Sequence, residues 1–542
     1  MDHSASLIQQ LTLQGIRLWL AGEKLRYAGP PQRLTPDILA TLKRHKADVV
    51  RYLSTTQLLP ASYGQQGLWS IHQQTAEEGA YTVSLAFEIT GPLNVTLLRD
   101  VFQLLVARHE ALRTRLVWQD GQVWQQVDGH QRAFIEEFAA PDWDAEERQR
   151  QLTALHVRPF DLAQGPLLRT TIIQHGPQAC TLLISAHHAI VDGWSSFQLL
   201  DELWCFYESL AAGRTVPLAP VSHTYADYVA WQQQMLAQNE ERLWAFWRDQ
   251  VGDDYPILAL PSDFARPPVR SLRGVHHAFR LSSELTTRLK GVAQTQQVTL
   301  YVLLLASYQL LLQRHTGQPA LMVGLPMAGR MSAAFGETIG YLTSPVVLRS
   351  EVDSTLSLAE LLAQVKARTL AALDHQDYPF ARLVERLNPP RDPSRPLLFQ
   401  SNFVLQRPHR SQALLQTASG QQVSDLHVRM LPLPLFAGQE DIALELLETD
   451  TGLEGIFKGS ADLFTSATLA RMSQRWEVLL EAIAGDPQRS LATPLAALPI
   501  LTPTERQQLL VEWNNTSAPF PQDRCIHHLI AAQAARTPDA IA

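Results

Sequence analysis

The 542-residue chain is poor in cysteine: Cys180, Cys205 and Cys525 lie far apart, with no metal-ligand spacing among them. That argues against a disulfide scaffold or a zinc module and fits a reducing compartment. Long apolar runs are missing too, none approaching the roughly 20 residues needed to span a bilayer. The opening Met1-Asp-His-Ser-Ala5 lacks a basic stretch followed by an apolar core, so it does not read as a secretory signal. No Lys/Arg cluster is long enough to suggest nucleic-acid binding, and a net charge of -8 gives it no support. Gly-rich phosphate loops, metal constellations and serine nucleophile elbows are not found. The expectation is a soluble, cytoplasmic protein with neither nucleic-acid nor membrane partners. What is present is an ordinary globular composition, 46% hydrophobic and 18% charged, in a chain too long for a single core.

One stretch stands out, Ser185-Ala-His-His-Ala-Ile-Val-Asp-Gly-Trp-Ser195. Two β-branched, apolar runs precede it, Leu168–Ile173 and Ala179–Ile184, which read as paired strands turning near His175-Gly-Pro. The histidines therefore sit where a buried strand runs out. Asp192-Gly193 turns the chain, and Ser195-Ser196 is placed to cap a helix starting near Phe197. His187 and His188 point to opposite sides of an extended chain, so one of them faces any given cavity. A histidine held there can exchange a proton near neutral pH. A second pair, His276-His277, lacks the downstream Asp-Gly and reads as surface strand.

Around this stretch the chain divides. In residues 1–55, Gly15–Gly22 reads as a short strand and Glu23–Tyr27 as its hairpin partner, ended by Pro30-Pro31. Thr35-Pro36 starts a helix carrying Ile38, Leu39, Leu42, Val49 and Leu53 on one side and Lys43, Arg44 and Lys46 on the other. Residues 56–490 alternate strands with amphipathic helices in two similar halves. The first has a helix from Ser62, strands at Tyr81–Ile89 and Arg113–Trp118, and a helix at Leu98–Leu112 between them. The second has helices at 283–293 and Leu300–Leu312 and strands at Leu321–Leu325 and Val346–Arg349. The proline-rich stretch Pro256–Pro268 connects them.

The spacing His187-His188-x-x-x-Asp192-Gly193-Trp194-Ser195 resembles the core motif of condensation domains of nonribosomal peptide synthetases, in the chloramphenicol-acetyltransferase-like superfamily. Other motifs of that family follow in order: Ser62–Trp69, Arg108–Thr114, Tyr225–Gln232, Ile339–Arg349, His375–Phe380 and Arg391–Gln400. Residues 1–55 resemble TubC-type N-terminal docking domains through Gly15, Leu18, Trp19, Leu25, Leu34-Thr-Pro36 and Lys46. From about Leu501, Trp513–Pro521 and His527–Pro538 resemble the linker and opening helix of an adenylation domain. The chain stops at Ala542 before any nucleotide-binding motif, as a piece of a longer protein would.

The resemblance implies an α/β (α+β) fold: two subdomains in a V around a central tunnel, plus a small αβ docking domain. The boundaries expected are 1–55, 56–255, 256–490 and 491–542. It implies amide formation between an acyl or peptidyl thioester donor and the amine of an aminoacyl acceptor. The substrates ride on the phosphopantetheine of donor and acceptor peptidyl carrier domains, with no dissociable cofactor or metal for this step. Residues 1–55 would dock onto an upstream subunit, with the exposed hairpin edge as the binding strand, and the adenylation domain would follow in the same polypeptide. His188 is the implied catalytic residue, with the Gly193 N–H near the reaction centre and Gly193 permitting a tight turn. His187, Asp192 and Arg113 are implied to support the site, Asp192 pairing with Arg113, while Trp194, Ser195, Ser344 and Tyr341 line the tunnel. Departures are Ser344, where the family usually has Asn, and Gly459, where a tyrosine is expected.

Rival readings are an epimerase domain, which normally follows a carrier domain, and a heterocyclisation domain, which His187 and His188 exclude. A non-catalytic scaffold would be expected to lose His188 or Gly193. A starter domain would share every motif and take a fatty acyl group from acyl-CoA. A pure docking and interaction module would show no turnover.

Overall fold

The computed structural model describes residues 3–75, 79, 81–406, 420–433, 438–449, 451–519 and 521–541. The chain forms two compact units, Met1–Leu498 and Pro499–Ala542.

The first unit begins with α1 (His3–Leu13), the hairpin β1 (Arg17–Ala21) and β2 (Lys24–Ala28), then α2 (Pro36–Arg44) and α3 (Lys46–Ser54). Leu7, Leu11 and Leu13, expected only to lead into the hairpin, form a helix. The single helix expected after Pro36 is two, separated at His45. Thr35 caps α2, its Oγ1 accepting the Ile38 N–H at 3.4 Å, and Pro36 fills the first helical position, where no N–H is needed. Ile8, Leu11, Ile16, Leu18, Leu42, Val49 and Leu53 close a small core of their own. Leu13 instead belongs to the large core of the next layer. Gly15, at φ +77°, lies where a Cβ would come within 2.5 Å of Leu210. The small αβ element is thus packed against the body that follows.

That body contains β3 (Thr56–Pro60), α4 (Tyr63–Thr75), β4 (Thr82–Thr90), α5 (Val95–Arg108), β5 (Thr114–Gln119), β6 (Gln122–Asp128), β7 (Ile135–Ala139) and α6 (Ala145–His156). There follow β8 (Leu168–Gly176), β9 (Ala179–His187), α7 (Gly193–Ala211) and α8 (Tyr225–Val251). The second half supplies β10 (Gly274–Ser282), α9 (Ser283–Thr295), α10 (Leu300–Thr316), β11 (Ala320–Met327), β12 (Ser344–Glu351), α11 (Leu358–Asp374) and α12 (Phe380–Leu387). Its last strands are β13 (Ser401–Gln406), β14 (Gln421–Val423), β15 (Leu426–Leu431), β16 (Ile442–Thr449) and β17 (Gly452–Ser460), and the helix Ser466–Gly485 follows them.

Two six-stranded sheets organise these halves, in the orders β14-β15-β4-β9-β8-β7 and β10-β17-β16-β13-β11-β12. β15 comes from the second half yet pairs antiparallel with β4 of the first, His427 opposite Thr90. A clean division at 255/256 therefore does not describe the sheets. β4 would otherwise be an edge carrying unpaired N–H and C=O groups, and the returning strand covers it. α10 is buried at every position from Val302 to Gln313, as a helix enclosed on all sides must be.

The expected boundary at 490/491 moves as well. Leu495 and Leu498 are buried in the first unit, and the Arg314 guanidinium donates to the carbonyls of Leu495, Ala496 and Leu498 at 3.0, 2.9 and 2.9 Å. The second unit carries a short helix, Pro503–Gln507, capped by Thr502 and Glu505, and the helix Ile526–Arg536 with His527 and His528. Among the described residues, no helix is long and apolar enough to cross a membrane.

Candidate active site

β9 ends at His187, and the next residues turn into α7, so the two histidines and Asp192 hang between a buried strand and a buried helix. The His188 N–H donates to the Tyr81 carbonyl at 2.8 Å, which prolongs the ladder by one bond. Its ring Nδ1 lies 2.8 Å from the carbonyl of Val191. A carbonyl can only accept, so Nδ1 carries the proton, and in the neutral ring Nε2 keeps the lone pair. Burial lowers the His188 pKa below the ordinary histidine value, outweighing Asp192 and the Val191 carbonyl, which favour the charged form. The Tyr341 ring packs against that of His188 in a T-shaped arrangement, centroids 4.9 Å apart. Tyr81, His188 and Tyr341 are each surrounded by protein yet only partly closed to water.

His187 turns the other way, as strand alternation requires. It is buried between His72 and Phe160, and its Nδ1 accepts the Ala189 N–H at 3.1 Å. Burial above all, with His72 and His188 nearby, pushes its pKa down to about 3, so the ring is neutral and structural.

Asp192 is fully buried and caps α7, its Oδ1 accepting the Ser195 N–H at 2.8 Å. The cap expected at Ser195-Ser196 is therefore three residues early, and α7 starts at Gly193 rather than Phe197. The partner of Asp192 is Arg330, not Arg113. Nη1 of Arg330 reaches Oδ2 at 2.8 Å and Nη2 reaches Oδ1 at 3.1 Å. Leu342 and Thr343 add N–H donors to Oδ2 at 3.1 and 3.3 Å. Burial alone would raise the Asp192 pKa, but Arg330 and the hydrogen bonds from Ser195 hold it below the usual carboxylate value. Arg330 follows β11 in the second half, so this pair ties the histidine loop to the other sheet.

Arg113 is occupied elsewhere. It donates to the Asp128 carbonyl and, at 3.2 Å, to the Tyr52 hydroxyl, and its guanidinium lies 5.9 Å from the Tyr52 ring. It joins the second motif to the small N-terminal element. The reason is local: Arg113 ends a 3₁₀ turn whose hydrogen-bond partners are Asp128 of β6 and Tyr52 of α3.

Ser195, expected in the tunnel wall, is inaccessible. Its hydroxyl lies 3.0 Å from the Gly340 carbonyl, 3.1 Å from the Gly340 N–H and 2.8 Å from Arg330 Nη2, completing the same clamp. Trp194 is half exposed, its ring 5.9 Å from the Arg330 guanidinium. Ser344 accepts the Phe380 N–H at 3.3 Å. Gly193 does not have a positive φ, and a Cβ there would meet nothing within 4 Å. Turn geometry is thus not the reason for glycine; it leaves the start of α7 uncovered.

Residues of other motifs hold the loop from behind. Gln65 donates to the Ala189 carbonyl at 3.0 Å, and Tyr225 links Ser62 and the Tyr341 carbonyl, 2.8 Å to each. Arg108 and His109 both bind Glu202 of α7, at 3.0 and 2.6 Å. His276 and His277 lie on β10, His276 exposed and His277 half-buried, away from this assembly.

With this geometry in place, comparison with known proteins decides the family. The condensation-domain model matches residues 55–510. The chain belongs to the condensation-domain family. A TubC N-terminal docking domain matches residues 5–55. One of the linear gramicidin synthase proteins of Brevibacillus parabrevis is 35% identical over 499 residues, 90% of this chain and 6% of its own length. Surfactin synthase subunit 1 of Bacillus subtilis is 31% identical over 504 residues, 93% of this chain and 13% of its own. The chain thus spans a small part of the curated relatives it matches. Among solved structures, a holo four-domain nonribosomal peptide synthetase, AB3403, superposes at TM-score 0.80 with 22% identity, over 90% of this chain and 37% of that one. The first condensation domain of the CDA synthetase superposes at 0.68 with 20% identity, over 82% and 99%. The fold is that of the chloramphenicol-acetyltransferase-like condensation domains, acyltransferases that form amide bonds in nonribosomal peptide synthesis.

Proposed function

We propose that this condensation domain joins a carrier-bound acyl or peptidyl thioester to the amine of an aminoacyl group on a second carrier domain, with His188 as the catalytic residue. The amine nitrogen bonds to the thioester carbonyl carbon, and the C–S bond then breaks to release the phosphopantetheine thiolate. The proton lost by the amine ends on that thiol.

The observation that carries the role of His188 is the bond from Nδ1–H to the Val191 carbonyl. It leaves Nε2 as an acceptor for an amine N–H, which aims the nitrogen lone pair at the carbonyl carbon. A lowered pKa keeps the ring neutral at pH 7, so the acceptor is always available. Orientation of two tethered substrates and a positioned proton acceptor each contribute to rate, the second about 10²–10⁴-fold. Asp192, Arg330 and Ser195 act through the loop they hold, and His187 through the strand end. Gly193 keeps the start of α7 clear of a side chain beside the reacting groups.

The donor we infer is bound to a carrier of an upstream subunit, because residues 5–55 match a docking domain. Residues 499–542 are read as the approach to an adenylation domain. The test is turnover followed by mass spectrometry, an aminoacyl carrier protein being offered either an acyl carrier or acyl-CoA. Product from the acyl carrier only supports the reading. Product from acyl-CoA alone replaces it with a starter reaction, and no product from either would leave a docking module.

A further inference from the structure

A second polar cluster lies on the sheet of the second half. Asn402 of β13, Ala443 of β16 and Lys458 of β17 are in register on neighbouring strands and so share one face. The opposite face carries Ile442, Leu444 and Leu446, all buried in the core. Ala443, at the centre of the row, is short and buried. At its end the Asn402 Nδ2 donates to Oε1 of Glu440 at 2.5 Å. Glu440 has no ion pair among the described residues, whereas its neighbour Asp441 is gripped by both terminal nitrogens of Arg266. The charge of Lys458 goes to Glu445, 2.6 Å away. Glu445 in turn lines a groove of about 510 Å³ along the same sheet, together with Gln406, Leu447, Glu454 and Ile456.

Glu440 is surrounded by protein but only partly closed to water, the condition it shares with Tyr81, His188 and Tyr341. Its carboxyl is felt at Tyr81, whose carbonyl holds the His188 N–H. A carboxyl enclosed without a cation in ion-pair contact is costly unless something else donates to it. Burial pushes its pKa up to about 7, with Lys458 and Arg270 opposing the rise and Glu445 adding to it. Nothing in the amide-forming step as derived above uses this group.

We propose that Glu440 and Asn402 form a polar specificity subsite in the wall of the substrate tunnel that the family resemblance implies, selecting a substrate whose side chain offers a hydrogen-bond donor to Oε2 of Glu440. The chemical class is a hydroxyl, an amide N–H or an ammonium. Asn402 fixes the carboxyl by donating to Oε1, which leaves Oε2 to meet the incoming group. The inference rests on the condensation reading of the site, and the donor acyl chain and the acceptor aminoacyl group are two sources of the same chemistry.

The experiment uses the full chain, its E440Q and E440L variants, and two panels of non-hydrolysable pantetheine amides. One panel carries aminoacyl groups and the other acyl groups. Each pairs a hydroxyl-, amide- or amine-bearing side chain with an apolar isostere, and binding is measured by calorimetry. In one panel, wild type is expected to bind the polar member about 10- to 100-fold tighter, the range of a hydrogen bond to a charged or strongly polar group. E440L abolishes that ratio, and E440Q keeps it for hydroxyl and amide but loses it for ammonium. The panel that responds identifies the source. A ratio unchanged in E440L, or a ratio near one in wild type for both panels, overturns the subsite. Turnover is measured separately: a binding preference without any amide product would defeat the condensation reading and leave the subsite standing.

Discussion

Arg330 and Asp192 meet through two hydrogen bonds, at 2.8 and 3.1 Å, although 138 residues separate them and each belongs to a different half of the domain. Both are buried, so removing one partner strands the other. Arg330→Met is expected to destabilise the first unit by about 3–5 kcal/mol, since the Asp192 carboxylate loses its counter-charge. Arg330→Met with Asp192→Asn should cost less than the sum of the two single changes. Denaturant unfolding of the four proteins checks both statements, and strict additivity would count against the pair. Because the folded pKa of Asp192 is depressed, its contribution is present above the ordinary carboxylate value of 3.8 and is lost as pH falls below it.

Arg113 makes the complementary case. It holds Tyr52 and the Asp128 carbonyl rather than the histidine loop. Arg113→Ala is expected to cost about 1–3 kcal/mol by leaving these acceptors unmatched. The kcat of the folded fraction should stay within about twofold of wild type. It should also raise hydrogen exchange in α3, which depends on Tyr52 for its hold on the body. A large fall in kcat with α3 still protected would return Arg113 to the active site.

How much of this was legible in the residues alone follows a physical line. The strand–turn–helix around His187 and His188 was readable because its signals are local, β-branched runs and Asp-Gly, although the cap was expected three residues too late. The docking hairpin was readable for the same reason. Arg330 was not, because it lies in Met327-Ala-Gly-Arg330, a loop without periodicity, and its partner comes from tertiary contact. The arginine of the second motif seemed available only because sequence does not show that Tyr52 had already claimed it. The return of β15 onto β4 was equally hidden, since nothing in Leu426–Leu431 specifies which sheet it joins. Glu440 escaped notice because Gln439-Glu440-Asp441 reads as surface charge; only the fold shows Asp441 buried against Arg266 and Glu440 half-buried beside Asn402.

His187 gives a stability prediction with a definite sign. Its folded pKa is about 3, below an unfolded value near 6.5, so the unfolded chain binds the extra proton. Stability is therefore full above pH 6.5 and falls on acidification, by about 1.4 kcal/mol per pH unit, until the folded value is reached. His187→Leu removes this dependence, although it costs some stability at pH 7 by freeing the Ala189 N–H. Urea midpoints of the two proteins between pH 7 and pH 5 should show the wild type declining more steeply. Parallel slopes would mean that His187 titrates normally in the folded state.

The activity profile follows from His188, whose pKa is lowered by burial. Turnover requires the neutral ring, with Nε2 free to accept. As pH falls, kcat should hold through 6.5 and drop only at lower pH, where the imidazole of the folded enzyme is finally protonated. His188→Ala should lower kcat about 10²–10⁴-fold with unfolding midpoints little changed, because the ring's hydrogen bond to Val191 is to a carbonyl that water can satisfy. His188→Gln restores an acceptor oxygen without a titrating group. It should recover part of the lost rate and flatten the acidic limb, as measured by product formation on carrier-bound substrates between pH 5 and 8. If the glutamine variant keeps the wild-type acidic limb, the titrating group belongs to another residue. An alanine variant as fast as wild type would remove His188 from the reaction altogether.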